Sequence, residues 1–428
     1  MFLTINKDIC YKIVFFVFIF SLVLTPSFQL PWFRFKFQIV DFFMPIFIGM
    51  IYVNKWYKNW SLLYIKNLIF MSLIIFISLI VNRQWIAIND YFEIYRIFTY
   101  ILVFIVFKEI YIQKFASLTI DIVFILLLIF NFLHYHNIFN FNAIVMPLYC
   151  GENSPHLFFF GYNSLLEPAT KRMLGTLGNP NNNAILFLFF SILYFPKQNW
   201  SVKKIIFFFL SVVAVCSCQS RTGIIAFSVV FLLNYAFTMV KWWKMIWQLS
   251  AVAIIFILFF KISLLSSGFD FNFLRQQSKT ESKIESKDYI LSLIDGNAFS
   301  GNSWNVRLKF WKELSTQVLD KPIIGHAPRK NYFYEQKRHF ENEYILYLWR
   351  YGILGFILFM GVYFIPVRKA FKTARSSEIS KNTLLLIVVF AICGLTNVPL
   401  SNTTLSLLFF SYLGVFYSQK NKDYENLA

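Results

Sequence analysis

The sequence predicts an all-α fold, a polytopic transmembrane helical bundle of about 12 spans, and three observations carry that expectation. Composition is the first: of 428 residues, 58% are hydrophobic and 21% aromatic, with 55 Phe, against 14% charged. That is more apolar side chain than a soluble core can hide. Apolar blocks are the second. They approach the roughly 20 residues a helix needs to cross a hydrocarbon core of about 30 Å, and the short alternating segments of a closed barrel are not found. Charge placement is the third, because the formal net charge of +19 falls mostly in alternate connectors. This is a pattern of membrane topology, not of nucleic-acid binding.

Taken in order, the spans are expected at 9–25, 38–53, 62–81, 91–107, 115–133, 183–195, 205–217, 223–240, 245–265, 343–367, 383–398 and 404–417. The first block has no small-residue cleavage site after it and is expected to stay as a helix and insertion signal. The blocks at 183–195 and 205–217 are short for a full crossing. With twelve spans, Lys7, Lys12, Lys55, Lys58, Lys108, Lys114, Lys203, Lys204, Lys241, the basic run from Arg368 to Lys381, and Lys420 fall on one side. The positive-inside rule makes that side the cytoplasm, with both termini in it. Residues 1–428 then form one integral membrane domain with two long exported loops, 134–182 and 266–342, the second a helical cap between the ninth and tenth spans.

Five Cys cannot all pair, and most sit in or beside apolar blocks as small hydrophobes. His134 and His136, two apart, point to different faces of a helix, and no cluster has metal-ligand spacing, so neither metal nor cofactor is expected. Asp121 lies within the fifth span toward its cytoplasmic end, and Glu93 with Arg96 has the spacing of an intrahelical ion pair.

Chemistry is expected in the exported segments. The run KRMLGTLGNPNNNA over 171–184 is a strong turn signal, with Asn182 or Asn183 as helix cap. Backbone N–H groups there, with Lys171 and Arg172 nearby and Asn179 in the turn, suit an anion. In CSCQSRTG over 216–223, Arg221 is an exported arginine close to hydrocarbon. The run RLKFWKELSTQVLDKPIIG over 307–325 has Leu308, Trp311, Leu314 and Val318 at helical spacing, with Arg307 expected in the first turn. Pro322 prevents its continuation and Gly325 permits a tight turn. In ENEYILYLWRYG over 341–352, a helix beginning near Glu341 puts Glu343, Tyr347 and Arg350 on one face, with Tyr344 beside them. Tyr332, Phe333 and Tyr334 of the cap are aromatic surfaces on which sugar rings can stack.

The ordered set GTLGNPNNNA, SRTG, RLKFWKEL…KPIIG and ENEYILYLWRYGILG, from Arg172 to Phe356, resembles the O-antigen polymerase and ligase superfamily. The resemblance implies a metal-independent, inverting glycosyltransferase that uses undecaprenyl-diphosphate-linked glycans at the periplasmic face of the bacterial inner membrane. It implies that Arg221 and Arg307 hold the lipid diphosphate, that Arg172 is a basic residue of the earlier loop, and that a chain-length regulator and flippase are partners. Ligases of this superfamily typically carry His before the Asn of an H-N-x-Y-L-like motif. Here Glu341 stands at that place and His339 two residues earlier, so the opening looks more like the polymerase branch, with Glu341 or Glu343 as base. The alternative is a ligase transferring glycan to lipid A-core with His339 as base. A polysaccharide transporter or flippase is less favoured, because the charges crowd the exported edge instead of lining a central path.

Overall fold

The computed structural model describes residues 7–29, 36–110, 113–150, 172–195, 201–238, 302–335 and 341–418. The described helices are α1 (Lys7–Leu24), α2 (Phe43–Val53), α3 (Leu63–Val81), α4 (Phe92–Glu109), α5 (Gln113–His136), α6 (Pro180–Leu193), α7 (Val202–Ser217), α8 (Arg221–Thr238), α9 (Asn302–Gln317), α10 (Lys330–Glu335), α11 (Glu343–Thr373), α12 (Glu378–Gly394) and α13 (Thr403–Tyr417), besides shorter turns. The expected ninth span, 245–265, lies outside the described residues. One small feature was not anticipated: β1 (Ser27–Gln29) and β2 (Lys36–Gln38) pair antiparallel, with Phe28 opposite Phe37. Strands of three residues are too short to stand out from neighbouring apolar runs.

Among the described residues, three stretches are long and apolar enough to cross a membrane by length and composition: Leu63–Val81, Ala116–His136 and Glu343–Thr373, the last of them broken at Gly352. α3 and α5 turn large apolar side chains outward, among them Phe70, Phe76, Ile129 and Phe132. Hydrocarbon suits such a surface and water does not. In water, burying one large apolar side chain stabilises by roughly 1.5–3 kcal/mol, but against lipid that gain is absent. Close packing and interhelical hydrogen bonds hold the bundle instead.

Both kinds of contact are visible. At the α4–α13 contact, a Cβ on Gly414 would lie 2.6 Å from the Phe104 carbonyl oxygen, and the Tyr100 and Phe410 rings stack 4.4 Å apart. Between α3 and α11, Asn67 Nδ2 donates to the Leu358 carbonyl over 2.8 Å. α6 packs on α7, α12 on α8 and α11, and α1 on α5. Asp121 ties α5 to the α6–α7 pair by accepting from Tyr194 Oη (2.9 Å) and pairing with Lys203.

The stretch expected as a single tenth span is a helical hairpin. Gly352 has φ 61° and ψ −165°, a conformation essentially confined to glycine, and α11 folds back there into arms 343–351 and 353–373. In a straight helix Glu343 and Tyr363 would stand about 30 Å apart, yet Tyr363 Oη donates to Glu343 Oε2 over 3.2 Å. Tyr347 likewise stacks on Phe359 at 4.0 Å.

The loop before α10 caps this turn. His326 and Ala327 N–H donate to the Trp349 and Arg350 carbonyls (2.9 and 2.8 Å), while Ile353 and Leu354 N–H donate to the Pro322 and Ile323 carbonyls (2.8 and 3.4 Å). Backbone groups freed by the break are thus satisfied by an inserted segment. Gly325 and Gly352 allow the approach: a Cβ on Gly352 would lie 2.3 Å from the Ile323 carbonyl, and one on Gly325 2.5 Å from that of Arg350. The tip reaches the end of α3, where Asn82 Nδ2 donates to the Gly325 carbonyl over 3.1 Å.

Candidate functional site

Four segments distant in sequence meet beside the start of α11. The first enters at Arg172, whose Nε donates to the Cys218 carbonyl (3.1 Å) and whose Nη2 donates to Asn181 Oδ1 (2.9 Å). His134, fully buried at the end of α5, accepts from Leu174 N–H through Nε2 (3.3 Å). Nδ1 therefore carries the proton and donates to Asn142 Oδ1 over 2.8 Å. A left-handed turn at Gly175 and Gly178 follows, and a Cβ on Gly175 would strike the Asn183 side chain at 2.3 Å.

The helix cap is Asn179, not Asn182 or Asn183. Its Oδ1 accepts from Asn181 and Asn182 N–H (2.9 and 3.2 Å). Pro180 explains the shift, since its fixed φ suits the first helical position and so makes Asn179, the residue before it, the cap. Two of the N–H groups expected to hold an anion are therefore satisfied by the cap. Asn183 is fully buried and donates to Asn131 Oδ1 over 3.0 Å.

The second segment is the turn into α8. Gln219 takes a positive φ of 48°, Gly223 packs within reach of Ala184 on α6, and Arg221 is exposed in the first turn of the helix. Next to it, Thr222 hydrogen-bonds Thr396. That contact leads to the third segment, 395–402, which the sequence reading did not single out. Asn397 Nδ2 donates to Asn182 Oδ1 (2.8 Å), and the Leu395 carbonyl accepts from Asn342 Nδ2 (3.1 Å).

Asn342 opens the fourth segment as N-cap of α11, accepting from Tyr344 and Ile345 N–H (3.1 and 3.0 Å). Beside it, Glu341 forms an ion pair with Arg307 of α9, each side chain about one-third exposed (32% and 30%). Arg307 is the sixth residue of α9, in its second turn. The buried face of that helix is Phe310 and Leu314, packed with Phe333 and Trp349, whereas Leu308 is exposed. The register turns because α9 packs on the first hairpin arm and on α10, a surface that spacing alone does not reveal.

Glu343 is fully buried, accepting from Leu400 N–H (2.8 Å) through one oxygen and from Tyr363 Oη through the other. Its carboxylate ties the arms to segment 395–402. Tyr344 Oη donates to the Ala391 carbonyl over 2.7 Å. The Arg350 guanidinium lies 5.9 Å from the Phe333 ring centre, toward the hairpin tip. Lys171 and His339 lie outside the described residues.

A second charged cluster joins the start of α4 to α10. Glu93, 1% exposed, pairs with Arg96 as its spacing predicts. It also pairs with Lys330 at 2.9 Å, a partner 237 positions away that no local pattern announces. Lys330 N–H donates to buried Asp90 (2.9 Å), fastening α10 to the start of α4.

A search of curated proteins finds no match. A family model described as O-antigen ligase matches residues 184–360, a stretch that takes in Arg221, α9, Glu341 and the hairpin turn but begins after Arg172 and Asn179. Residues 184–360 are therefore similar to the O-antigen ligase family, in keeping with the resemblance of the sequence motifs to the O-antigen polymerase and ligase superfamily.

Proposed function

We propose that the protein polymerises undecaprenyl-diphosphate-linked oligosaccharide repeat units at the periplasmic face of the bacterial inner membrane, making O-antigen or a related surface polysaccharide. The observation that carries this reading is the unbroken run of contacts Arg172–Asn181, Asn182–Asn397, Thr222–Thr396, Leu395–Asn342 and Glu341–Arg307. These contacts link the segments that carry Arg172, Arg221 and Arg307, and that linkage supports a shared site for the three arginines. A guanidinium stays charged and grips phosphate oxygens in pairs, so such a group stabilises a diphosphate as it leaves.

In this reading Arg307 exchanges Glu341 for the diphosphate of the lipid that carries the growing chain, which frees the carboxylate. A hydroxyl of one lipid-linked repeat unit then attacks the anomeric carbon of the glycan on the other lipid. The carbon–oxygen bond to the diphosphate breaks with its electron pair going to the diphosphate, and the hydroxyl proton passes to Glu341. A single in-line displacement inverts the anomeric centre. The cations are side chains, so no metal is required. Glu343, held by two internal donors, positions the start of α11 instead of meeting the substrate. The pathway's flippase would deliver the lipid-linked units, and a chain-length regulator would be a further partner.

Silver-stained lipopolysaccharide from a deletion strain tests the reading. Core bearing a single repeat unit is the expected result. Core with no repeat at all would instead indicate transfer of finished glycan to lipid A-core.

A further inference from the structure

Beyond the ion pair, α9 runs outward beside the first hairpin arm toward a column of stacked planar groups at the tip. Arg307 and Gln317 are ten residues apart, about 15 Å along the helix. At its outer end, Gln317 Oε1 accepts from Trp349 Nε1 (2.9 Å) and its carbonyl bonds His326 Nε2 (2.9 Å). Trp349 is stacked between two rings, His326 at 4.8 Å and Tyr332 at 5.8 Å, each within 20° of parallel. The Arg329 guanidinium then lies between Tyr332 (5.2 Å) and Trp85 (4.9 Å).

The column begins buried and ends open. Trp349 is 1% exposed, whereas Trp85, in the segment between α3 and α4, is 56% exposed. In this segment Arg329 has φ 40° and Ala327 φ 63°, a left-handed conformation that residues with a side chain rarely adopt. A column that only joined two loops would not need its outermost indole left mostly uncovered.

We infer that Trp85, backed by Arg329 and Tyr332, is a glycan-stacking subsite that receives a sugar ring of the lipid-linked chain a few residues from the diphosphate. This rests on the function proposed above. The apolar face of a pyranose is flat, and an indole face with a guanidinium behind it matches it in shape while the sugar's hydroxyls stay in water. The inference adds a determinant of sugar preference and chain length whose outermost residue, Trp85, lies before the family match, while Arg329 and Tyr332 lie within it.

The test is binding to the full-length protein in lipid nanodiscs, with two probes. One is lipid-free glycan released by mild acid from the producing strain's surface polysaccharide, and the other is undecaprenyl diphosphate carrying no sugar. Trp85→Ala is expected to weaken the glycan about fivefold to tenfold, the worth of one aromatic contact, and to leave the sugar-free lipid unchanged. Trp85→Tyr is expected to restore most of the loss. Equal glycan binding by wild type and Trp85→Ala overturns the subsite, as does a Trp85→Ala effect confined to membrane anchoring or thermal stability. Wild-type protein that ignores the glycan overturns it too. Binding of the sugar-free lipid is the separate readout for the function on which the inference rests.

Discussion

Arg307 and Glu341 form an ion pair with a third of each side chain exposed, and such pairs contribute about 0–1 kcal/mol to stability. Its interest is chemical, because a weakly held guanidinium exchanges partners readily. These residues were legible in the sequence because charges are sparse in an apolar chain and stand out in the polar connectors. The cap at Asn179 was not singled out among several Asn, although Pro180 marks the place once its geometry is considered. Lys330 was illegible as a partner of Glu93, since only the tertiary fold joins them. His326 yields a pH prediction. Burial against Trp349 pushes its imidazole below the usual 6.5, and the nearby Lys321 and Arg329 act in the same direction. Below pH 6.5 the unfolded chain takes up a proton that the folded cap resists, so stability is lost as pH falls from 6.5 toward the lower folded value and is flat above it. The fluorescence-monitored melting temperature of the wild-type protein is expected to be level above about pH 6.5 and to drop between about pH 6.5 and about pH 5.5. His326→Gln is expected to remove that dependence, and an unchanged slope would count against the assignment.

The α11 hairpin is the element that brings the segments together. Eleven residues from Gly352 to Tyr363, which bonds Glu343, put the tip about 16 Å beyond Glu343, so the ion pair lies well below it along the hairpin. Most of the described helices were readable as apolar blocks, and their ends fell within a few residues of expectation. The hairpin was not readable, because 343–367 has the length and apolarity of one span. The only local signal was Gly352, and its partner loop 322–327 had to be known before the break made sense. Gly352→Ala places a Cβ 2.3 Å from the Ile323 backbone in a glycine-only conformation. It is expected to destabilise by more than about 1 kcal/mol, read as a lower melting temperature and loss of monodisperse protein. Gly49→Ala on α2 meets nothing within 4 Å and is expected to be neutral or to stabilise by about 0.5–1 kcal/mol. Equal behaviour of the two variants would contradict the capped hairpin.

Across the whole molecule, composition announced a helical membrane protein, and the family match agrees with that class. The pairing of α4 with α13 and of α3 with α11 was beyond the sequence, because lipid-facing and core-facing residues are equally apolar here and periodicity loses its contrast. Orientation makes a prediction of its own. Leu319, 77% exposed just after α9, belongs on the periplasmic side if the Lys-rich connectors are cytoplasmic. With Cys10 and Cys150 changed to Ser, Leu319→Cys is expected to react with a thiol reagent that passes the outer membrane but not the inner one. Labelling only after the inner membrane is broken would reverse the topology. The central claim is that arginines from separate segments share one diphosphate, and its most direct measurement is the affinity of nanodisc-embedded protein for sugar-free undecaprenyl diphosphate. Arg221→Ala and Arg307→Ala are each expected to weaken binding about tenfold, while Glu341→Gln, which removes the internal competitor for Arg307, is expected to bind at least as tightly as wild type yet lose turnover. Unchanged affinity in both arginine variants, or weaker binding by Glu341→Gln, would contradict the account.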